Sequence, residues 1–165
     1  MAPWKRASRA VGERAGRLPP GQRAVAGFPR FGTQLHHPAP PLPVEPRLGV
    51  RGAGAATSDV PLAELMGRLP RRRQVSDVHC VAGWSAVGIP WEGVPFAEFW
   101  RRYVEPALPP AASVTHAVLV GLDGYRIVVT LDDLLADDVL LADRLDGRPL
   151  DGDHGAPLRL VSPSQ

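Results

Sequence analysis

The residues with the most chemistry to offer gather in Asp77–Trp91, D-V-H-C-V-A-G-W-S-A-V-G-I-P-W, which holds the only cysteine, Cys80, and two of the four tryptophans, Trp84 and Trp91. A deprotonated thiol is a soft metal ligand. A free cysteine is also a small hydrophobe that usually lies buried. Residue types alone leave both readings open. Other clusters are less promising. His36 and His37 are neighbours, which do not readily converge on one metal, and they read as surface loop. The acids at 132, 133, 137, 138, 143, 146, 151 and 153 read as caps, turns and a solvated face, not as paired catalytic carboxylates. Arg71-Arg72-Arg73 reads as a solvated edge strand, with a cationic rim to an oxyanion pocket as the alternative.

The elements that must position Cys80 are short. Val78 and Cys80 read as an apolar strand running into a loop, because Gly83, Gly88 and Pro90 rule out regular helix. Upstream, Leu48–Gly52 reads as a strand and Pro61–Met66 as a short helix with proline in its first turn. Downstream, Phe96, Phe99, Trp100, Tyr103 and Val104 repeat at three and four residues, one face of a helix that follows Pro95. Val114–Val120 reads as a buried strand, Gly121–Tyr125 as a turn and Arg126–Val129 as the next strand. Thr130 and Asp133 form a capping-box pattern for a helix over 131–135. Val139–Leu141 is a strand, and Asp146-Gly147 is the turn of a hairpin to Leu150.

A chain of 165 residues suits one domain with a tail. Apolar content of 44% is enough for a core, and 17 glycines with 19 prolines predict many loops. Residues 1–30 carry seven Lys/Arg against Glu13, a balance of +6, so the remainder sums to −4. Residues 1–27 read as a basic, disordered tail, because charge comes without aromatic interleaving or a helix-turn-helix pattern. Nucleic-acid binding is therefore not expected. One cysteine fits a reducing compartment. No apolar run approaches a membrane span, and Lys5-Arg6 is not followed by an apolar signal core. The expected location is cytoplasmic.

The wording around Cys80 resembles the molybdopterin-dependent oxidoreductases of the sulfite oxidase superfamily. There, H-C-x-x-x-W-S carries the single protein thiolate on molybdenum and W-x-G-V-P follows. Here these are His79, Cys80, Trp84, Ser85, then Trp91, Gly93, Val94 and Pro95. F-x-x-F-G-T at Phe28–Thr33 is similar to the cofactor-contacting loop of the methionine-sulfoxide-reductase branch, which implies that Pro29 and Arg30 approach the pterin. D-H-G-x-P-x-R at Asp153–Arg159 resembles the cofactor-holding wording, with His154 and Arg159 in the matching positions. Asp123, in G-L-D-G-Y, takes the place of a family Asp or Thr beside the pterin.

The resemblance implies a mixed, strand-rich α+β domain over residues 28–165, with Mo-molybdopterin in a cleft between the Cys80 loop and the His154–Arg159 strand. Cys80 would ligate the metal and Arg159 would fork onto the cofactor phosphate. The implied reaction is two-electron oxygen-atom transfer on a small oxyanion or sulfoxide, with an external electron partner. Each residue also has a plainer reading. Asp123 before Gly124 suits a turn, His154-Gly155 suits a loop, and Arg159 between Leu158 and Leu160 suits the outward position of a strand. Relatives continue past this point into G-Y-K-S-x-K and further strands, whereas Lys5 is the only lysine here. The expectation is thus a C-terminally truncated domain, and the alternative is a non-catalytic remnant of the fold.

Overall fold

The computed structural model describes residues 18–30, 38–55 and 57–163. His36, His37 and the Phe31-Gly32-Thr33 end of the N-terminal motif lie outside those residues, as does the chain up to residue 17.

The elements run β1 (Arg23–Ala24), β2 (Arg47–Val50), β3 (Ser58–Pro61), α1 (Leu62–Arg68), β4 (Arg72–Cys80), β5 (Trp84–Pro95), α2 (Phe96–Phe99), β6 (His116–Val120), β7 (Arg126–Thr130), α3 (Leu131–Leu134), β8 (Leu140–Leu145), β9 (Arg148–Pro149) and β10 (Arg159–Val161). The domain is mixed and strand-rich with short helices, as expected. β5 is its spine. It pairs antiparallel with β4 along one edge, while its other edge takes β1 in parallel at Trp84–Ser85 and β8 in antiparallel at Trp91–Pro95. β10 continues the sheet beyond β8, and β9 folds back on β8.

Both faces of this sheet are covered. Val94 and Leu141 face a core built with Leu65, Phe96, Phe99, Trp100 and Val104. The stripe at 96, 99, 100 and 104 is buried there, as its spacing predicts, over α2 and the wider turn Trp100–Val104 that continues it. Each such side chain contributes about 1.5–3 kcal/mol when fully buried. The opposite face carries Trp91, Leu140, Ala142 and Val161, with Phe28, Val78 and Trp84 packed against them. The candidate site lies on this second face.

Three sequence expectations change. Gly88 and Pro90 do not end regular structure, since both sit inside the twelve-residue β5. The ladder absorbs Gly88 as a bulge: Ser76 pairs with Ile89 and Val78 with Ala86, so Val87 and Gly88 oppose Asp77 alone. Gly88 takes φ +71°, and its freed N–H donates to Asp77 Oδ1 at 2.7 Å. The tail expected over 1–27 is not loose throughout. Arg23 N donates to Gly83 O and Val25 N to Ser85 O, at 3.1 and 3.0 Å, so the chain is already strapped to β5 there. Finally, β6 is not a buried strand. It pairs only with β7, so one face (Ala117, Leu119, Val129) packs on the core while Val118, Val120 and Val128 stay exposed.

Gly93 fixes how closely β5 and β8 approach. A Cβ there would stand 2.2 Å from Leu141 O and 2.6 Å from Ala142 Cα, both backbone atoms that cannot rotate away. Gly93→Ala should lower unfolding free energy by about 3 kcal/mol or more. Gly88→Ala, strained in φ but with nothing within 4 Å, should lose about 1–2 kcal/mol. Urea midpoints of the two variants make the comparison, and equal losses would contradict the close-approach account.

Candidate functional site

Phe28 is where the distant pieces of the site meet. Its ring stands edge-on to Trp84 and Trp91, with centroids 6.4 and 5.7 Å away, and 4.9 Å from the His154 ring. Its carbonyl accepts a hydrogen bond from His154 Nε2 at 3.0 Å, across 126 positions of sequence. The Arg159 guanidinium lies over the same ring at 5.0 Å and over Trp91 at 5.6 Å.

Local folding delivers His154 and Arg159 to this point. Asp151 caps a tight turn over Gly152–His154, its Oδ1 accepting from His154 N at 3.0 Å and meeting Nδ1 at 2.6 Å. Both ring nitrogens of His154 thus have a partner, Asp151 Oδ1 on one side and Phe28 O on the other. The ring is therefore occupied in holding the turn to Phe28. Gly155 then reverses the chain at φ +92°, where a Cβ would press on the Arg159 side chain at 3.2 Å. Arg159 enters β10 opposite Ala142, on the Trp91 face.

Arg159 is the electrostatic feature of the site. Burial pushes its pKa below the ordinary arginine value, yet a guanidinium remains charged. Its Nη1 donates to His154 O at 3.3 Å, and among the described residues no carboxylate pairs with it. Cation–π contacts of about 0.5–2 kcal/mol each offset part of the desolvation. Beside it opens a cleft of about 240 Å³, walled by Asp77–His79, Trp91, Ile127 and residues 159–163. Two of the lining residues, Trp91 and Ser162, carry a buried Nε1 and Oγ without a partner among the described residues. A desolvated cation and two orphaned polar atoms fit an anionic, acceptor-rich group.

Cys80 ends β4 opposite Trp84, and directly paired residues share a face. The half-buried thiol therefore belongs to the face on which Phe28 packs. Among the described residues no three His, Cys, Asp or Glu side chains converge as a metal site. A metal bound through Cys80 would thus suit a carrier that brings its own ligands.

Of the residues singled out in the sequence, His154 and Arg159 meet at Phe28, and Cys80 shares their sheet face as the strand partner of Trp84. Pro29 follows Phe28 at the surface, and Arg30 Nη1 faces Asp153 at 3.5 Å. Asp123 is not brought in. It sits at the tip of the β6–β7 hairpin, where Oδ1 accepts from Tyr125 N at 3.0 Å, the turn-forming role. That hairpin reaches the cleft through Ile127 instead. Nor do the arginines at 71 and 73 make a free cationic rim. Arg71 pairs with Asp143 at 2.5 Å and Glu92 at 3.3 Å, and Arg73 with Glu92 at 2.9 Å. Glu92 is partly buried: desolvation pushes its pKa up, but the Arg73 and Arg71 guanidiniums overcome that and hold it below the usual carboxylate value. Sequence reading missed Gln22, whose Nε2 donates to Cys80 O at 3.0 Å. Nothing in its basic, Ala/Gly-rich surroundings marked it.

The "oxidoreductase molybdopterin binding domain" family matches residues 36–165, and the chain belongs to that family, within the sulfite oxidase superfamily of molybdopterin-dependent oxidoreductases. Over 152 residues it is 29% identical to the uncharacterized oxidoreductase YuiH of Bacillus subtilis, covering 92% of this chain and 73% of that one. It is 33% identical over 150 residues to the protein-methionine-sulfoxide reductase catalytic subunit MsrP of Xanthomonas campestris, covering 82% of this chain and 46% of that protein. In structure it is similar to the sulfane dehydrogenase SoxCD of Paracoccus pantotrophus, with TM-score 0.55 and 22% identity over 70% of this chain and 33% of that one. The chain thus spans about three quarters of YuiH and less than half of MsrP. Among the described residues no helix is long and apolar enough to cross a membrane.

If Arg159 is held for an anion, removing its charge should not weaken the cofactor-free fold. Arg159→Met should leave the melting temperature within about 2 °C of wild type or raise it. A fall of about 8 °C or more in differential scanning calorimetry would make Arg159 a structural residue instead.

Proposed function

We propose that this chain holds a molybdenum–molybdopterin cofactor through Cys80, Arg159 and the 152–159 turn, and catalyses two-electron oxygen-atom transfer on a small oxyanion or sulfoxide. The observation that carries this reading is the largely buried Arg159 guanidinium, unmatched by a carboxylate among the described residues, on the same sheet face as the half-buried Cys80 thiol. The MsrP relatives, named as methionine-sulfoxide reductases, favour a sulfoxide over sulfite.

The cofactor, when bound, supplies a metal centre able to change oxidation state by two electrons. The chain's own residues do the rest. Cys80 gives a thiolate, since a coordinated thiol is deprotonated outright. Arg159 offers a planar fork to a phosphate, and its two aromatic rings hold that fork at a fixed height. Trp91 Nε1 would be available to donate to an acceptor atom of the cofactor, and Ser162 Oγ to gain a partner there. His154, tied to Asp151 and Phe28, orients the turn and stays out of the chemistry. The cleft is smaller than the roughly 300–1,000 Å³ of pockets that enclose a ligand. It would take an anionic end of the cofactor through Arg159, and Cys80 would supply the ligand to the metal.

Expression in a host that makes the cofactor, followed by elemental analysis, tests the reading. Wild type should carry about one molybdenum per chain, and Cys80→Ser much less. Loaded wild type should reduce a small sulfoxide with an artificial electron donor. Soluble, folded wild type without molybdenum would overturn the proposal and leave a non-catalytic form of the fold.

A further inference from the structure

We propose that Gln22 is a positioning residue for Cys80, a clamp that fixes the direction in which the thiolate meets its metal; this rests on Cys80 as the metal's protein ligand. The turn after Cys80 has little packing of its own, with Val81 97% exposed. Its geometry must come from hydrogen bonds. The Cys80 carbonyl accepts two, from Gly83 N within the turn at 2.9 Å and from Gln22 Nε2 outside it at 3.0 Å. With both lone-pair directions engaged, the peptide plane beside the Cys80 Cα is held, and with it the Cα–Cβ direction.

The other end of the Gln22 amide is anchored as firmly. Its Oε1 accepts from Ser85 Oγ at 3.1 Å, and Ser85 is fully buried on the returning strand. Because the Cys80 carbonyl only accepts, Nε2 must face it and Oε1 must face the serine. The serine hydroxyl, donating to Gln22, is left to accept from His79 Nδ1 at 2.8 Å. One side chain thus bridges residues 80 and 85, on either side of the turn. Its own backbone cannot drift, because Arg23 and Ala24 pair in parallel with Trp84 and Ser85. A ligand must be held to roughly 0.5 Å for its metal chemistry, and outer partners of metal ligands typically change affinity about 10–100-fold.

Two variants separate positioning from stability. Gln22→Glu keeps an acceptor for Ser85 and loses the donor to Cys80, and Gln22→Met loses both with little change in volume. Arg23→Ala, an exposed side chain on the same strap, is the control. Each is compared with wild type for molybdenum content, the thiolate-to-metal charge-transfer band and melting temperature. At unchanged melting temperature, both Gln22 variants should shift the band or lose molybdenum on dialysis about ten-fold faster, and Arg23→Ala should do neither. An unchanged band and retention in both would overturn the clamp, as would losses that merely track a falling melting temperature. Loaded wild type beside unaffected Gln22 variants sinks the clamp alone. Wild type without molybdenum, or Cys80→Ser that retains it with the same band, sinks the ligand assignment and the clamp with it.

Discussion

A guanidinium resting against two aromatic rings, with no carboxylate against it among the described residues, sets the terms for the rest of this site. Left alone, such a cation is a liability to the fold. Its tolerance depends on Phe28 and Trp91 presenting their π faces and on the His154 carbonyl taking one N–H. Those partners come from three separate parts of the chain. Gly155 leaves room for the arginine stem, and β10 must pair with β8 in the observed register to put Arg159 on the Trp91 face. A stability-optimised sequence has little reason to build this arrangement. A protein that binds an anion does.

The sheet is shaped to serve the same face. β5 carries both tryptophans of the cluster, and its irregularities aim them. The bulge at Gly88 shifts the register of β5 by one residue, so that Trp84 and Ala86, opposite Cys80 and Val78, share the face of Ile89 and Trp91, while Asp77 makes good the hydrogen bond that the ladder loses. Further along, Gly93 lets β8 approach closely and keep Ala142 beside Arg159. Wording that reads as a cofactor motif, W-E-G-V-P, is therefore partly a packing instruction: Trp91 supports the arginine, Gly93 admits the neighbouring strand.

Much of this was legible because identity and spacing carried it. The aromatic stripe at 96, 99, 100 and 104 declared a buried helical face by period alone, and the D-H-G-x-P-x-R wording brought His154 and Arg159 to one place. What periodicity cannot see is short or long-range. β1 is two residues long, too brief for any alternating pattern, and its worth lies in contacts with residues some sixty positions away. Asp123 illustrates the opposite hazard: an acid before glycine fits a turn so well that its local bond to Tyr125 N accounts for its contacts. The arginines at 71 and 73 likewise looked like a cationic rim until Glu92 and Asp143, nineteen or more positions away, neutralised them.

The central claim is that one protein sulfur, from Cys80, completes the coordination of a cofactor whose anionic end rests on Arg159. X-ray absorption at the molybdenum edge reads that sulfur directly. Wild type should show one more sulfur neighbour per metal than Cys80→Ser at matched molybdenum content. Equal sulfur counts in the two proteins would contradict the account.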